Sequence, residues 1–375
     1  MKRARSSVRV GLVFHVFLLG GTAACSQAGD RSEELVGPEQ KTESATVESE
    51  SPSMEATAAA TTTTSSTSTT MPTIFDPYAG TNPPTTAIGT VTDRSITTPD
   101  GRRRHFRLYV PSSLDATGKI PLLIALHGGL GSSAQFAKNS GFDQLAESNR
   151  FIVAYPDGIG ARSDDSGPRT WNGGYCCGPA VRSNVDDVAF IRTVIDSVEA
   201  EFLVDPDRVF AAGHSNGAIM AYRLACELSD QITAIGVQSG SLGVDTCAPS
   251  HPVSVLHIHG LADTNHPIDG GRGSGLAGVE FRSARDAVAT MARVDGCAPD
   301  PIVQSVPENS DLEISTWSKC DVRAIVRLIT VAAATHAWMG HAAASAGAIR
   351  YVGEPYANLD SSRAIWTFLA SQSRD

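Results

Sequence analysis

A serine hydroxyl becomes a usable nucleophile when an imidazole takes its proton and a carboxylate orients that imidazole. One serine of this chain sits in a setting suited to that chemistry, within Val209-Phe210-Ala211-Ala212-Gly213-His214-Ser215-Asn216-Gly217-Ala218-Ile219-Met220. The stretch reads as a short apolar strand, a Gly-x-Ser-x-Gly turn and the start of a helix. A strand that turns sharply into a helix holds its central residue in a strained conformation, and small neighbours let the two elements approach. Gly213 and Gly217 meet that need, and the helix behind Ser215 would offer free N–H groups and positive dipole. Alone, the motif is only a Gly/Ser turn. Asp205-Pro206-Asp207-Arg208 as a preceding turn and Ala218 to Ala225 as a helix former give it context.

Where such an elbow is catalytic, the acid and then the base follow it along the chain. The apolar run Val253 to His259 ends in Gly260-Leu261-Ala262-Asp263, which puts Asp263 just past a strand end; Asp269 is the alternative. After the last apolar run comes Thr335-His336-Ala337-Trp338-Met339-Gly340-His341, with His336 as the expected base and His341 as its rival. A turn aspartate and a solvated loop histidine are the ordinary readings of each alone. Three residue types in order at three strand ends are much less easily accidental. The oxyanion needs backbone donors. His127-Gly128-Gly129-Leu130 follows an apolar strand, so the N–H of Gly129 or Leu130, with that of Asn216, would form the hole, and His127 would shape the loop. His257-Ile258-His259 with Asp263 and His266 suggests a metal site, but Leu261 stands where such motifs carry an aspartate. No metal and no cofactor are expected.

These residues require a sheet to hold them. Strands are expected at Ser95 to Thr98, Arg104 to Val110, Ile120 to Leu126, Phe151 to Tyr155, Ile235 to Val237, Val253 to His259 and Ile325 to Val331, besides the one entering the elbow. Helices are expected at Asp186 to Glu201, Arg282 to Val294 and Ser361 to Ser371. Continuous apolar strands alternating with helices argue for an α/β fold, a mostly parallel sheet with helices on both faces and functional loops at the strand C-terminal ends.

The flanking sequence bounds the rest. A net charge of -10 argues against a nucleic-acid partner. Lys2, Arg3, Arg5 and Arg9 precede the apolar core Val10 to Leu19, too short to span a bilayer, so residues 1–25 read as a signal peptide. Thr22-Ala23-Ala24-Cys25 resembles a lipobox, making Cys25 a lipidation site and membrane anchor; ordinary cleavage near Ala24 is the alternative. Residues 26–90 read as a Ser/Thr/Pro-rich linker, with residues 91–375 as the catalytic domain. Export implies an oxidising compartment, where the six cysteines after Cys25 fit three disulfides. Cys297 with Cys320 is the first choice, flanking a hairpin-like excursion, and Cys226 with Cys247 the second. Adjacent Cys176 and Cys177 either bridge each other or pair elsewhere.

Taken in order, Leu126-His127-Gly128-Gly129, Tyr155-Pro156-Asp157-Gly158, Trp171 to Gly178, Val185-Asp186-Asp187-Val188, Gly213 to Gly217, His259 to Asp263 and His336-Ala337-Trp338 resemble the poly(3-hydroxybutyrate) depolymerase / feruloyl esterase family of secreted esterases, most of all its LpqC-type lipoprotein members. The resemblance covers roughly Arg94 to Ser371. It implies an α/β-hydrolase fold acting on carboxylic esters without a metal, with Ser215 as nucleophile, Asp263 as acid and His336 as base. The substrate would be a hydroxyalkanoate oligomer, a feruloyl or acetyl polysaccharide, or an envelope lipid. Trp171 and Trp338 become candidate substrate contacts or, equally, buried structural residues. The chain departs from the family's Gly-His-x-Trp-Pro-Gly at Thr335 and Met339. An envelope acyltransferase on the same fold and a non-catalytic surface module are the alternative functions.

Overall fold

Seven consecutive apolar residues, Ile120–Leu126, are buried on both sides and set the centre of the sheet. Side chains alternate along a strand. Leu122, Ile124 and Leu126 therefore enter one core, while Leu123 and Ala125 enter the other. The computed structural model describes residues 76–374 apart from 115–117, 163 and 344. The expected signal peptide, Cys25 and the expected linker up to residue 75 lie outside the described residues.

The main sheet has ten strands. In chain order they are β1 (Thr90–Thr97), β2 (Arg103–Val110), β3 (Ile120–Leu126), β4 (Ile152–Pro156), β5 (Val204–His214), β6 (Ala234–Gln238), β7 (Ser254–Gly260), β8 (Ile302–Val306), β9 (Asn309–Trp317) and β10 (Val326–Val331). Their spatial order is β1-β2-β4-β3-β5-β6-β7-β10-β9-β8. The six central strands from β4 to β10 run parallel, and antiparallel pairs close each edge. This is the α/β-hydrolase fold. The expected turn Asp205–Arg208 survives as a bulge inside β5: Ile120 pairs with Val204, but Leu122 already pairs with Val209.

The helices are α1 (Ser133–Ser140), α2 (Phe142–Asn149), α3 (Gly178–Arg182), α4 (Asp187–Glu199), α5 (Asn216–Glu227), α6 (Ala284–Val294), α7 (Ala346–Val352) and α8 (Ser361–Ala370). Side chains of α4, α5 and α6 fill one core. Those of α1, α2 and α8 fill the other, where Trp366 stacks on Phe151 with ring centroids 3.5 Å apart. Residues 76–89, assigned to the linker by composition, are tied to this layer. The Tyr78 hydroxyl accepts the Asp360 N–H at 2.8 Å, and Thr81 and Thr367 share a hydrogen bond of 2.8 Å.

Candidate active site

β5 ends at His214 and α5 begins at Asn216, so Ser215 alone makes the turn. Its backbone sits at φ 55, ψ -120, a conformation that costs a side-chain-bearing residue about 1–3 kcal/mol. The neighbours show why the turn needs glycine. A Cβ on Gly217 would press on the Leu126 and His127 carbonyl oxygens, and one on Gly213 on the Gly217 carbonyl. Both backbone groups of Ser215 are engaged: its N–H donates to Gln238 O and its carbonyl accepts from Ile219, each at 3.0 Å. The hydroxyl is left to project into the cleft.

His336 Nε2 lies 2.8 Å from Ser215 Oγ, and His336 Nδ1 lies 2.7 Å from Asp263 Oδ2. The other carboxylate oxygen of Asp263 accepts the N–H groups of Asn265 and His266, both at 2.9 Å. Burial alone would raise this carboxyl. The charge and hydrogen bond of His336, together with His259 and the His266 N–H, outweigh burial and hold it well below the usual carboxylate range. An ionised Asp263 facing Nδ1 favours a proton there, the tautomer in which Nε2 can accept from Ser215. The two alternative residues are elsewhere: Asp269 pairs with Arg285 at 3.0 Å, and His341 pairs with Asp360 at 3.1 Å.

The loop carrying His336 is held by Gln238, which the sequence did not single out, and by the two residues that depart from the family pattern, Thr335 and Met339. Buried Gln238, at the end of β6, donates to Ala337 O at 2.9 Å and accepts from Met339 N at 3.2 Å and Ser361 Oγ at 2.7 Å. A proline at position 339 could not make that donation. Thr335 Oγ1 donates to Glu354 O at 2.8 Å. His214 Nε2–H donates to the His336 carbonyl at 2.8 Å, and burial lowers its pKa to about 3, so it stays neutral.

Of the oxyanion donors expected from sequence, Leu130 is excluded, because its N–H is already given to Arg169 O at 2.7 Å. Gly129 lies against the elbow, where a Cβ on it would be 3.5 Å from Asn216 Cβ, and no acceptor among the described residues takes its N–H. Asn216 opens α5, where a backbone N–H has no partner within the helix. These two donors flank Ser215 in one cleft. His127 shapes the loop as expected: Nδ1–H donates to Gly128 O at 2.8 Å, Nε2 accepts Gly158 N–H at 3.0 Å, and burial lowers its pKa to about 4.

Trp171 does not line the cleft. It is fully buried under the His127 loop, its indole donating to His127 O at 2.9 Å. The Asn216 side chain clasps the Trp171 backbone at both N–H (2.7 Å) and carbonyl (3.1 Å). One residue on, Asn172 N–H donates to Asp187, which makes a buried ion pair with Arg104 at 2.7 Å. The Trp171 segment is thus a strut for the elbow. Trp338 does reach open space. It lines a cleft of about 720 Å³ with Phe136, their rings edge to face at 5.4 Å. A smaller recess of about 290 Å³ contains Ser215 and shares Gly129, Leu130, Leu276, Tyr351 and Val352 with it.

Cys226 bridges Cys247, Cys297 bridges Cys320, and Cys176 bridges its neighbour Cys177. His257 and His259 belong to a directed hydrogen-bond chain. Tyr222 O–H donates to His257 Nδ1 (2.7 Å), His257 Nε2–H to His259 Nδ1 (2.9 Å), and His259 Nε2–H to His266 O (2.8 Å). Burial lowers the pKa of both His257 and His259, consistent with neutral rings. The chain ties α5, the helix that follows Ser215, to the loop of Asp263.

Residues 97–282 match the family described as "Putative esterase". Among curated relatives, feruloyl esterase B of Piromyces equi is 30% identical over 236 residues, 60% of this chain and 41% of that protein. The putative esterase NocK of Nocardia uniformis subsp. tsuyamanensis is 33% identical over 174 residues, 45% of this chain and 48% of that protein. The chain therefore spans less than half the length of these two relatives. Among solved structures, an acetyl xylan esterase from Aspergillus awamori superposes with a TM-score of 0.49 at 18% identity, covering 65% of this chain and 94% of its own. The family match and the sequence relatives support an esterase family.

Proposed function

We propose that the protein is a serine carboxylic-ester hydrolase working through an acyl-enzyme. The observation that carries this reading is the continuous chain from Asp263 to His336 (2.7 Å) to Ser215 (2.8 Å). His336 Nε2 takes the proton of Ser215 as Oγ attacks the ester carbonyl, and Asp263 stabilises the imidazolium that forms. The carbonyl oxygen, now an anion, faces the N–H groups of Gly129 and Asn216. His336 then gives its proton to the leaving alcohol, and water attacks the acyl-enzyme by the same route. One of the named relatives is a feruloyl esterase, so feruloyl esters of polysaccharides are the first substrates to try, followed by acetyl esters and 3-hydroxybutyrate oligomers. The disulfides and the basic-apolar N-terminus support export, with Cys25 as the proposed membrane anchor.

The test is a substrate panel on the full chain: p-nitrophenyl butyrate, methyl ferulate, acetylated xylan and 3-hydroxybutyrate oligomers, with products separated chromatographically. The proposal expects release of acid from at least one ester, lost in Ser215→Ala. Release of acid that survives in Ser215→Ala, or none from a folded wild type, would overturn it.

A further inference from the structure

The recess around Ser215 is built almost wholly from uncharged groups: glycines, Leu130, Pro179, Leu276, Phe281 and Val352 among them. Apart from His336, the one ionisable side chain in its wall with a permanent charge is Arg182, at the C-terminal end of α3. No carboxylate among the described residues lies within ion-pair distance of it. The other arm of the site, beyond Leu276 and Tyr351, has no permanent charge in its wall; Phe136, Trp338, Val352 and small residues line it with the uncharged amides Gln135 and Asn139, and His214 is neutral. The two arms thus differ in kind: one apolar and large enough for an aromatic ring, the other apolar but ending on a guanidinium.

Beyond Arg182 the contrast continues. Pro179 is a wall shared with a neighbouring cleft of about 390 Å³. That cleft carries Arg103 and Arg162, besides Arg102, which is paired with Asp100 at 3.0 Å. Its one acid, Asp165, is engaged by Arg169 at 3.0 Å. On a chain of net charge -10, cations gathered along one exit from the nucleophile mark the place where a negative substrate would be drawn. A guanidinium suits carboxylate recognition because its planar fork can give two parallel hydrogen bonds.

Resting on the ester-hydrolase reading above, we propose that Arg182 makes the enzyme selective for esters carrying a carboxylate on the side of the scissile bond that lies along α3. The apolar arm takes the other side. A carboxylate in that position occurs in two kinds of ester. It lies on the acyl side in half-esters of dicarboxylic acids and in oligoesters with a free acid end. It lies on the alcohol side in esters of uronate-bearing sugars.

Matched substrates test this on the full chain. The acyl-side pair is mono-p-nitrophenyl glutarate against p-nitrophenyl valerate. The alcohol-side pair is 4-butyryloxybenzoate against phenyl butyrate. In one pair, wild-type kcat/KM should favour the charged ester relative to its uncatalysed reactivity, and which pair does so identifies the side. An exposed ion pair is worth up to about 1 kcal/mol, so Arg182→Gln should reduce that charged-to-neutral ratio about fivefold, and Arg182→Glu further. Added salt should lower the ratio in wild type and leave it flat in Arg182→Gln. Arg350, which lines an adjoining recess but not the one that holds Ser215, is the control. Hydrolysis of neutral esters with no charge preference in either pair would overturn the inference while leaving the hydrolase reading intact. So would a preference that persists in Arg182→Gln, or one abolished only by Arg350→Gln. Absence of Ser215-dependent hydrolysis from every ester would overturn both.

Discussion

Replacing Asp263 by Asn changes one atom of the site, and the consequence follows from the hydrogen bonds already described. Oδ1 accepts two backbone N–H groups, at 2.9 Å each, and Oδ2 faces His336 Nδ1 at 2.7 Å. In the amide, the oxygen must keep the two N–H donors, because turning it would set an NH2 group against both and leave two buried donors unpaired. Each costs about 1–3 kcal/mol. The amide nitrogen is therefore forced toward His336 Nδ1 and donates to it. The imidazole must then carry its proton on Nε2, aimed at Ser215, where it cannot accept one. Recovering the working tautomer costs at least the two lost bonds, and the negative charge that stabilises the imidazolium is gone as well. Together these amount to about 5 kcal/mol, or roughly 10⁴-fold in kcat. KM should change little, since Asp263 lines neither substrate arm. The assay is steady-state hydrolysis of p-nitrophenyl butyrate by the Asp263→Asn variant, with circular dichroism as the fold control. A folded variant retaining more than a tenth of wild-type kcat would refute the orienting role assigned to Asp263.

Two further outcomes follow from the same packing. Gly217→Ala places a methyl group against the Leu126 and His127 carbonyl oxygens, so it should lower stability by about 1–3 kcal/mol and displace Ser215; urea unfolding and kcat should fall together. Asp295 is buried at the end of α6, and burial raises its carboxyl to about 7. The folded state then holds a proton that the unfolded chain releases near pH 4, so stability should fall as pH rises from about 4 through 7, at up to about 1.4 kcal/mol per unit. Asp295→Asn should flatten that slope in Tm between pH 5 and 8, and an unchanged slope would refute the assignment to Asp295.

The sheet was legible because burial on both faces leaves runs such as Ile120 to Leu126 and Val253 to His259 that resemble little else. The elbow was legible because its steric demand falls on two glycines at fixed spacing. The short helices α1 and α2 were not read: each has eight residues, and only Gly141, at φ 73, separates them. The use of the Leu130 N–H was invisible for another reason. Its acceptor, Arg169 O, belongs to a two-residue strand far along the chain, and such backbone pairing leaves no mark on residue type. Gln238 carries no motif, although a glutamine closing an apolar strand is a signal that could have been followed. The sequence set a metal aside for His257 and His259 but could not say what they do, because Tyr222, which completes their hydrogen-bond chain, is 35 residues away. Trp171 shows the remaining limit. A sequence can place a tryptophan beside the site, but only packing decides whether it faces substrate or holds up the loop.

The central claim is that Ser215 is a nucleophile activated by His336. Labelling the full chain with a fluorophosphonate, then locating the adduct by peptide mass, tests it most directly. The account predicts one adduct, on the peptide containing Ser215, formed rapidly in wild type, much more slowly in His336→Ala and not at all in Ser215→Ala. A folded wild-type protein that takes up no label, or takes it up on a different residue, would contradict it.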